Sequence, residues 1–203
     1  SKAGLLIQEF FMFLGLVFVP VIYVLLRKIK VKELLFSSLP NNKDIQMSIL
    51  GMFGFGIIIE ILLAIATESF PSLAFGLVAP FDTQNFHQFI ADKLFFTGFS
   101  GLLISVFLIG ILPGFGEEFF FRGFLQRVFQ NKFSWLVSAI LAGFLFGAVH
   151  AMQQVGQAIG AFLIAIWLGF LFAKSQNLLL PIIAHAFNNS LFVILIFIFP
   201  SLK

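Results

Sequence analysis

The stretch LLISVFLIGILPGFGEEFFFRGF, residues 102–124, begins as an apolar run and ends in a segment with two acids and an arginine. An apolar run of this kind is typical of a helix that spans a lipid bilayer. Glu117, Glu118 and Arg122 nevertheless stand among apolar residues on both sides. Since a charged side chain costs about 2.5–3.5 kcal/mol at the centre of a membrane helix, three of them together indicate a functional site.

The whole chain has the composition of a membrane protein. Of its 203 residues 60% are hydrophobic and 10% are charged, and the mean hydropathy is +1.08, whereas a soluble domain has about 25% charged residues. The lack of cysteine excludes disulfide scaffolds and thiol chemistry. The twelve Lys and Arg residues are scattered along the chain, so the net charge of +3 does not indicate a nucleic-acid partner.

Six apolar stretches predict an all-α, polytopic bundle of about six transmembrane helices, because a backbone in lipid must satisfy its hydrogen bonds within a helix. We expect residues 1–203 to form a single integral membrane domain, with N-terminal spans at about 5–66 and a core at about 94–199. The first stretch lacks the charged start and cleavage site of a signal peptide, so we expect it to be retained. The stretches are Leu5–Leu26, Met47–Ala66, Leu94–Leu112, Trp135–Met152, Ile159–Ala173 and Leu178–Phe199.

The basic residues predict the orientation of this bundle. Nine of them follow the odd-numbered spans and three lie on the other side, so the positive-inside rule places the basic loops in the cytoplasm, as in a multi-pass protein of the cell (inner or plasma) membrane. The long polar segment Thr67–Lys93 would then cap the outer face. The nine are Arg27, Lys28, Lys30, Lys32, Lys43, Arg122, Arg127, Lys132 and Lys174, and the three are Lys2, Lys93 and Lys203.

The first polar motif is the acid pair with its arginine. On a helix Glu118 and Arg122 are four residues apart and share a face, while Glu117 is turned by about 100°. One carboxylate can therefore be ion-paired while its neighbour stays available for chemistry. The structural alternative is an ion-pair network that closes a helix end at the membrane surface.

Two further motifs lie on later spans. In FGAVHA, His150 follows Phe146 by four residues, and in HAFNN, His185 and Asn189 share one helix face. Together with the acids these groups are sufficient to hydrolyse an amide. Glu117 can act as a general base, the histidines can orient the water or bind a metal, and Asn189 can donate to a developing oxyanion.

A metal-dependent version would use Glu118, His150 and His185 as ligands, with one position left open as in catalytic zinc sites. The HExxH pattern of soluble zinc proteases is absent, so the sequence allows zinc without requiring it. A hydrogen-bonded structural role is the alternative for each histidine taken singly. Glu60 is a weaker candidate for lining the cavity, and Glu9 is expected near a surface.

The order of the motifs, EExxxR at 117–122, FxxxH at 146–150 and HxxxN at 185–189, resembles the CPBP family of intramembrane proteases. That family includes the type II CAAX prenyl proteases and bacterial Abi or bacteriocin-processing proteins. The three motifs are specific in combination, and the resemblance covers about residues 94–199.

The resemblance implies endopeptidase activity within the bilayer. Glu117 and His150 would activate a water, and His185 and Asn189 would stabilise the oxyanion. The implied partner is a peptide or protein substrate, lipidated or not, that reaches the site from the cytoplasmic leaflet.

Two more residues receive supporting roles from the resemblance. Glu118 is expected to support the site, and Arg122 to hold a carboxylate, either that of Glu118 or that of a substrate. Catalysis by these polar groups does not require a metal, because a Glu and His pair can activate water by itself.

Glu118 and His150 can lie at the same depth in the membrane only if the third helix is long. If that helix ended near Leu112, Glu118 would lie at the cytoplasmic side, whereas His150 would lie about 22 Å along the next helix. The two side chains could not then share a water. We therefore expect a long third helix, kinked at Pro113, that carries residues 117–129 within the membrane.

Three other functions are compatible with parts of the pattern. A rhomboid-like serine protease would use Ser100, in Gly98-Phe-Ser100-Gly101, with His150, although Ser100 can equally be a small packing residue. A non-catalytic membrane interaction or immunity protein would keep the polar cluster for folding or contact. A proton or ion pathway would use Glu60, the acid pair and the histidines as a relay.

Overall fold

The computed structural model describes residues 2–28, 30, 39–69, 98–151 and 155–199. These ranges contain six helices and no β-strand. The expected all-α bundle of about six spans is therefore confirmed. The helices are α1 (Lys2–Arg27), α2 (Asn42–Ser69), α3 (Gly98–Gln130), α4 (Trp135–Ala151), α5 (Val155–Ser175) and α6 (Leu179–Ile198).

Length and composition make several of these helices suitable for crossing a bilayer. Among the described residues, four apolar segments meet this condition, while α4 is a shorter apolar helix. Large side chains such as Phe11, Phe18 and Phe144 are exposed on the outside of the bundle, as expected for lipid contact. The four segments are Phe10–Arg27, Gly98–Gln130, Ala158–Ser175 and Leu179–Ile198.

The third helix does not end near Leu112 but continues to Gln130, as the depth of the site requires. It contains two π-helical segments, Val106–Ile111 and Phe119–Gln126. The first ends two residues before Pro113, which has no N–H to donate and therefore interrupts α-helical hydrogen bonding. The kink at Pro113 stays a prediction.

Helix α3 approaches α6 closely one turn before the acid pair. A Cβ atom at Gly114 would lie 2.8 Å from the backbone nitrogen of Ala186 and 2.9 Å from its Cα. Only glycine allows the two backbones to lie this close. The contact places Glu117 and Glu118 beside His185, which directly precedes Ala186.

Three buried apolar clusters join the helices around this contact. One links Phe119 of α3 with α1 and α5, a second links α2, α5 and α6, and a third links Phe121 of α3 with α4 and α5. Polar side chains inside the bundle are thus surrounded by well-packed apolar ones. The buried members are Val24, Phe119, Phe172 and Leu178; Met52, Leu168 and Ala184; and Phe121, Phe146 and Ala165.

Basic residues gather at one end of the described bundle. Arg27 lies 6.0 Å from the Tyr23 ring, Tyr23 contacts Phe124 of α3, and Lys174 of α5 lies 5.9 Å from the ring of Trp135. Arg122 is an exception to the predicted set of loop cations, because it is buried inside the bundle. Except for its first residues, 67–69, which belong to α2, the predicted outer cap lies outside the described residues.

Candidate active site

Glu118 and Arg122 form a buried ion pair in the second half of α3. Arg122 Nη1 donates to Glu118 Oε1 at 2.8 Å, and the two side chains are 1% and 0% exposed. Arg122 Nη2 donates to the carbonyl oxygen of Ala165 on α5 at 2.8 Å, and the guanidinium carbon lies 5.2 Å from the Phe146 ring centroid. A buried charge needs such partners to offset the loss of hydration. Of the two alternatives for Arg122, the structure shows the contact with its own neighbour Glu118.

His185 connects α6 to this ion pair. Its Nδ1 lies 2.8 Å from Glu118 Oε1, and since a carboxylate oxygen accepts, Nδ1 is the donor. The other ring nitrogen, Nε2, lies 3.7 Å from Oε2 of Glu117. That distance is too long for a direct hydrogen bond. Glu118 therefore orients the imidazole, and Glu117 faces its free side.

His150 belongs to the same region through Phe146. His150 Nδ1 donates to the carbonyl oxygen of Phe146 at 2.9 Å, so Nε2 is left for other contacts. The Phe146 ring centroid lies 4.4 Å from that of His150 and 5.9 Å from that of His185. Both imidazoles lie within electrostatic range of the Glu117 carboxylate. Three motifs far apart in sequence thus meet around one phenylalanine.

Glu118 on α3 and His150 on α4 lie at a similar depth in the bundle. Glu118 lies twelve residues before Gln130, which is about 18 Å along α3, and His150 lies about 22 Å along α4 from Trp135. The ends of these helices are joined by the short connection 131–134. The long α3 therefore brings the acid pair and His150 to a similar depth.

Asn189 is not hydrogen-bonded to the other predicted groups among the described residues. It is half-buried, and its Oδ1 accepts from Asn188 Nδ2 at 3.5 Å. In the described part of the chain it has no hydrogen bond to His150, His185 or Glu117. Its spacing of four residues still places it on the His185 face of α6, so its oxyanion role stays a prediction.

Ser100 lies far from the polar cluster. It is exposed in the first turn of α3, about 25 Å along the helix from Glu117. Because His150 lies near Glu117, the Ser100 and His150 pair of a serine protease is not assembled. Glu9 and Glu60 lie in α1 and α2, but their side chains are outside the described part of the structure.

Gln126 belongs to the same polar network although none of the three motifs contains it. Its side chain is fully buried, and its Nε2 donates to the carbonyl oxygen of Gly169 on α5 at 2.9 Å. Glu118, Arg122 and Gln126 recur every four residues in an apolar segment. This repeat is the signal in the sequence that could have identified Gln126.

The donors expected for zinc do not converge in this arrangement. Glu118 Oε1 already accepts hydrogen bonds from Arg122 and from His185. Among the described residues, no group of three His, Asp or Glu side chains is placed to hold a metal ion. The set of Glu118, His150 and His185 therefore does not fit zinc here, and the mechanism below uses no metal.

Comparisons with known proteins agree with the motifs. Residues 99–191 match the family model described as type II CAAX prenyl endopeptidase Rce1-like, a range that contains all three motifs. The resemblance seen in the sequence is thereby confirmed for this part of the chain. An uncharacterised 24.3 kDa protein from Escherichia coli is 29% identical over 109 residues. The match covers 52% of this chain and 46% of that relative, so the chain spans about half the length of the curated relative. No solved structure matches the chain.

Proposed function

We propose, from its match to Rce1-like type II CAAX prenyl endopeptidases over residues 99–191, that this multi-pass membrane protein is an intramembrane endopeptidase. One observation carries the proposal. Glu118 is engaged by Arg122 and His185, whereas Glu117 makes no hydrogen bond within the described part of the chain, lies 3.7 Å from Nε2 of His185 and is within electrostatic range of His150. A committed carboxylate beside an available one is the arrangement that a general base needs.

The proposed reaction begins with a water held by Glu117 and by Nε2 of His150. Glu117 accepts a proton as the water oxygen attacks the carbonyl carbon of the scissile peptide bond. The carbonyl oxygen becomes an oxyanion, which His185, when Nε2 carries a proton, and Asn189 stabilise by donating hydrogen bonds. The C–N bond then breaks, Glu117 returns its proton to the leaving amine, and the water oxygen remains in the new carboxyl group.

Glu118 and Arg122 support this reaction without touching the reacting atoms. The hydrogen bond from His185 Nδ1 to Glu118 holds the imidazole in one orientation, with Nε2 directed toward Glu117. Arg122 balances the charge of Glu118 and attaches it to α5 through the Ala165 carbonyl. An outer partner of this kind fixes both the tautomer and the ring position of a functional histidine.

The substrate class and orientation follow from the membrane setting. We propose a peptide or protein substrate that is associated with the membrane and enters from the cytoplasmic leaflet. The basic end of the bundle would face the cytoplasm of the cell, since positive residues are retained on that side. The name of the matched family makes a prenylated C-terminal peptide the first probe to use.

Cleavage by the purified protein in liposomes tests the proposal. The probes are a quenched fluorescent peptide ending in an S-farnesylated CAAX sequence and the same peptide without the lipid. We expect Glu117→Gln and His150→Ala each to lower the rate by about 10²- to 10⁴-fold, while Ser100→Ala retains wild-type activity. All three variants need unchanged unfolding temperatures for the comparison.

Three results would contradict the proposal. Wild-type rates in both Glu117→Gln and His150→Ala would remove the general-base mechanism, and a selective loss in Ser100→Ala would favour a serine protease. Proton flux into the same liposomes, without cleavage of either peptide, would favour the ion-pathway alternative.

A further inference from the structure

Two buried side chains of α3 bind backbone carbonyls of α5 in matching register. Arg122 Nη2 donates to Ala165 O at 2.8 Å, and Gln126 Nε2 donates to Gly169 O at 2.9 Å. The donors are four residues apart on α3, and the acceptors are four residues apart on α5. The pair of bonds, here called the α3–α5 clamp, joins the two helices over one full turn.

The clamp depends on the absence of a side chain at Gly169. A Cβ atom there would lie 2.9 Å from the Cβ of Ala139 and 3.0 Å from Oε1 of Gln126. Both contacts are tighter than side chains normally make. Gly169 therefore lets α4 and the Gln126 amide pack against the same turn of α5.

The clamp coincides with the irregular part of α3. The π-helical segment Phe119–Gln126 begins directly after Glu118 and ends at Gln126. π-helical turns are rare and frequently occur at functional sites, where surrounding contacts must maintain the less favoured geometry. Gln126 supplies such a contact at one end of the segment, while Arg122 supplies one in its middle.

We infer that Gln126 is a positioning residue for the proposed peptidase reaction, an inference that rests on the function proposed above. By binding the Gly169 carbonyl it fixes the π segment of α3 on α5. It thereby fixes Arg122, whose partner Glu118 orients His185. Gln126 acts through this chain of hydrogen bonds and does not touch the reacting atoms.

The imidazole spectrum tests the inference without any substrate. The chain has three histidines, so ¹⁵N-histidine labelling gives few ring signals, and His185→Ala assigns those of His185. We expect Gln126→Leu to shift the ring signals of His185, because its Glu118 partner moves. Ser105→Ala is the matched control, since it removes another buried polar group of α3, and we expect it to leave these signals unchanged. Unshifted His185 signals in a folded Gln126→Leu protein would overturn the inference.

Kinetics supply the second test. Since the reacting groups are displaced but substrate contacts are not, we expect Gln126→Leu to lower kcat by about tenfold to a hundredfold with KM within about twofold. Gly169→Ala should have the same effect from the α5 side. The double variant should be no slower than the slower single variant. Both changes disrupt the same hydrogen bond, the one from Gln126 Nε2 to the carbonyl oxygen of Gly169.

The matched control for Gly169→Ala is Gly160→Ala on the same helix, where an added Cβ meets nothing within 4 Å. We expect it to retain wild-type kcat. If Gln126→Leu does not fold, Gly169→Ala carries both the spectral and the kinetic test. Wild-type kcat in whichever of these variants folds, or effects that multiply in the double variant, would overturn the inference.

The two proposals fail in different ways. A wild-type protein that cleaves neither peptide would contradict the peptidase function, while the His185 spectrum still decides whether Gln126 positions the network. An active wild type that loses cleavage in Glu117→Gln but not in Gln126→Leu would leave the peptidase function standing and remove the role of Gln126.

Discussion

At the residue scale, Glu118 Oε1 is the atom on which the site depends, because it accepts from both Arg122 Nη1 and His185 Nδ1 at 2.8 Å. Its second oxygen, Oε2, is buried without a hydrogen-bond partner in the described part of the chain. The Glu118 carboxylate is therefore engaged by Arg122 and His185. Glu117, one residue earlier, is turned away from this pair and remains available.

Arg122→Met should destabilise the fold strongly. It leaves Glu118 buried without its counter-charge, a change that costs about 3–5 kcal/mol in typical buried pairs. Arg122→Lys should not restore stability, because lysine lacks the two-pronged geometry that reaches both Glu118 and Ala165. Unfolding temperatures in detergent measure this, with Lys132→Met as an exposed control.

Replacing both partners tests the charge explanation. In Glu118→Leu, Arg122→Met no unpaired charge remains, so the double variant should be more stable than Arg122→Met alone. If the double variant lost as much stability as the two single variants together, the explanation by charge would be contradicted.

The contacts of individual residues also predict the zinc content of the purified protein. Because Glu118 is used by Arg122 and His185, we expect much less than one zinc per chain in the purified protein, and no change in His150→Ala, His185→Ala. Elemental analysis by mass spectrometry measures this. One zinc per chain that disappears in the double variant would show that the site rearranges around a metal.

At the scale of elements, α3 determines the depth of the chemistry. The helix includes two π-helical segments and continues past Pro113 to Gln130 without a break. The close approach of Gly114 to Ala186 then brings the acid pair against α6. A single helix thus supplies both carboxylates and the two side chains, Arg122 and Gln126, that donate to backbone carbonyls of α5.

Gly114→Ala should separate α3 from α6 at the level of the site. The added Cβ would meet the backbone of Ala186, which cannot rotate away, so we expect a loss of about 1–3 kcal/mol and reduced cleavage. Gly54→Ala, where an added Cβ meets nothing within 4 Å, is the control for a neutral change. Equal unfolding temperatures and activities in both variants would contradict the packing explanation.

At the scale of the whole molecule, Arg27, Lys132 and Lys174 lie at one end of the described bundle, where aromatic rings accompany Arg27 and Lys174. Lys174 lies 5.9 Å from the rings of both Trp135 and Phe170. Such pairs are typical of the interface between bilayer and water. Arg122 does not contribute to this surface charge, because its guanidinium is enclosed by α3, α4 and α5.

The chain lacks cysteine, so single introduced thiols can report the orientation. We expect Lys132→Cys, in the exposed connection between α3 and α4, to react with an impermeant maleimide only from the cytoplasmic side. Phe199→Cys, directly after α6, should react from the opposite side. Labelling of whole cells and inverted vesicles measures both, and the reverse pattern would contradict the proposed orientation.

The sequence alone determined the membrane class, the six apolar helices and the i, i+4 pairing of Glu118 with Arg122. These follow from local rules, since a backbone in lipid must bond within its own helix and residues four apart share a face. The three motifs also identified Glu117, His150 and His185 as residues that meet. For Asn189, the spacing predicts only that it shares a helix face with His185.

Only the tertiary structure decided that α3 contains two π-helical segments, that Arg122 also binds the Ala165 carbonyl on α5, and that Gln126 takes part. The π turns of α3 lie where this helix packs against α1, α5 and α6. The partner carbonyls of Arg122 and Gln126 lie 43 residues away in the chain. Because packing between helices sets such distances, no local pattern contains them.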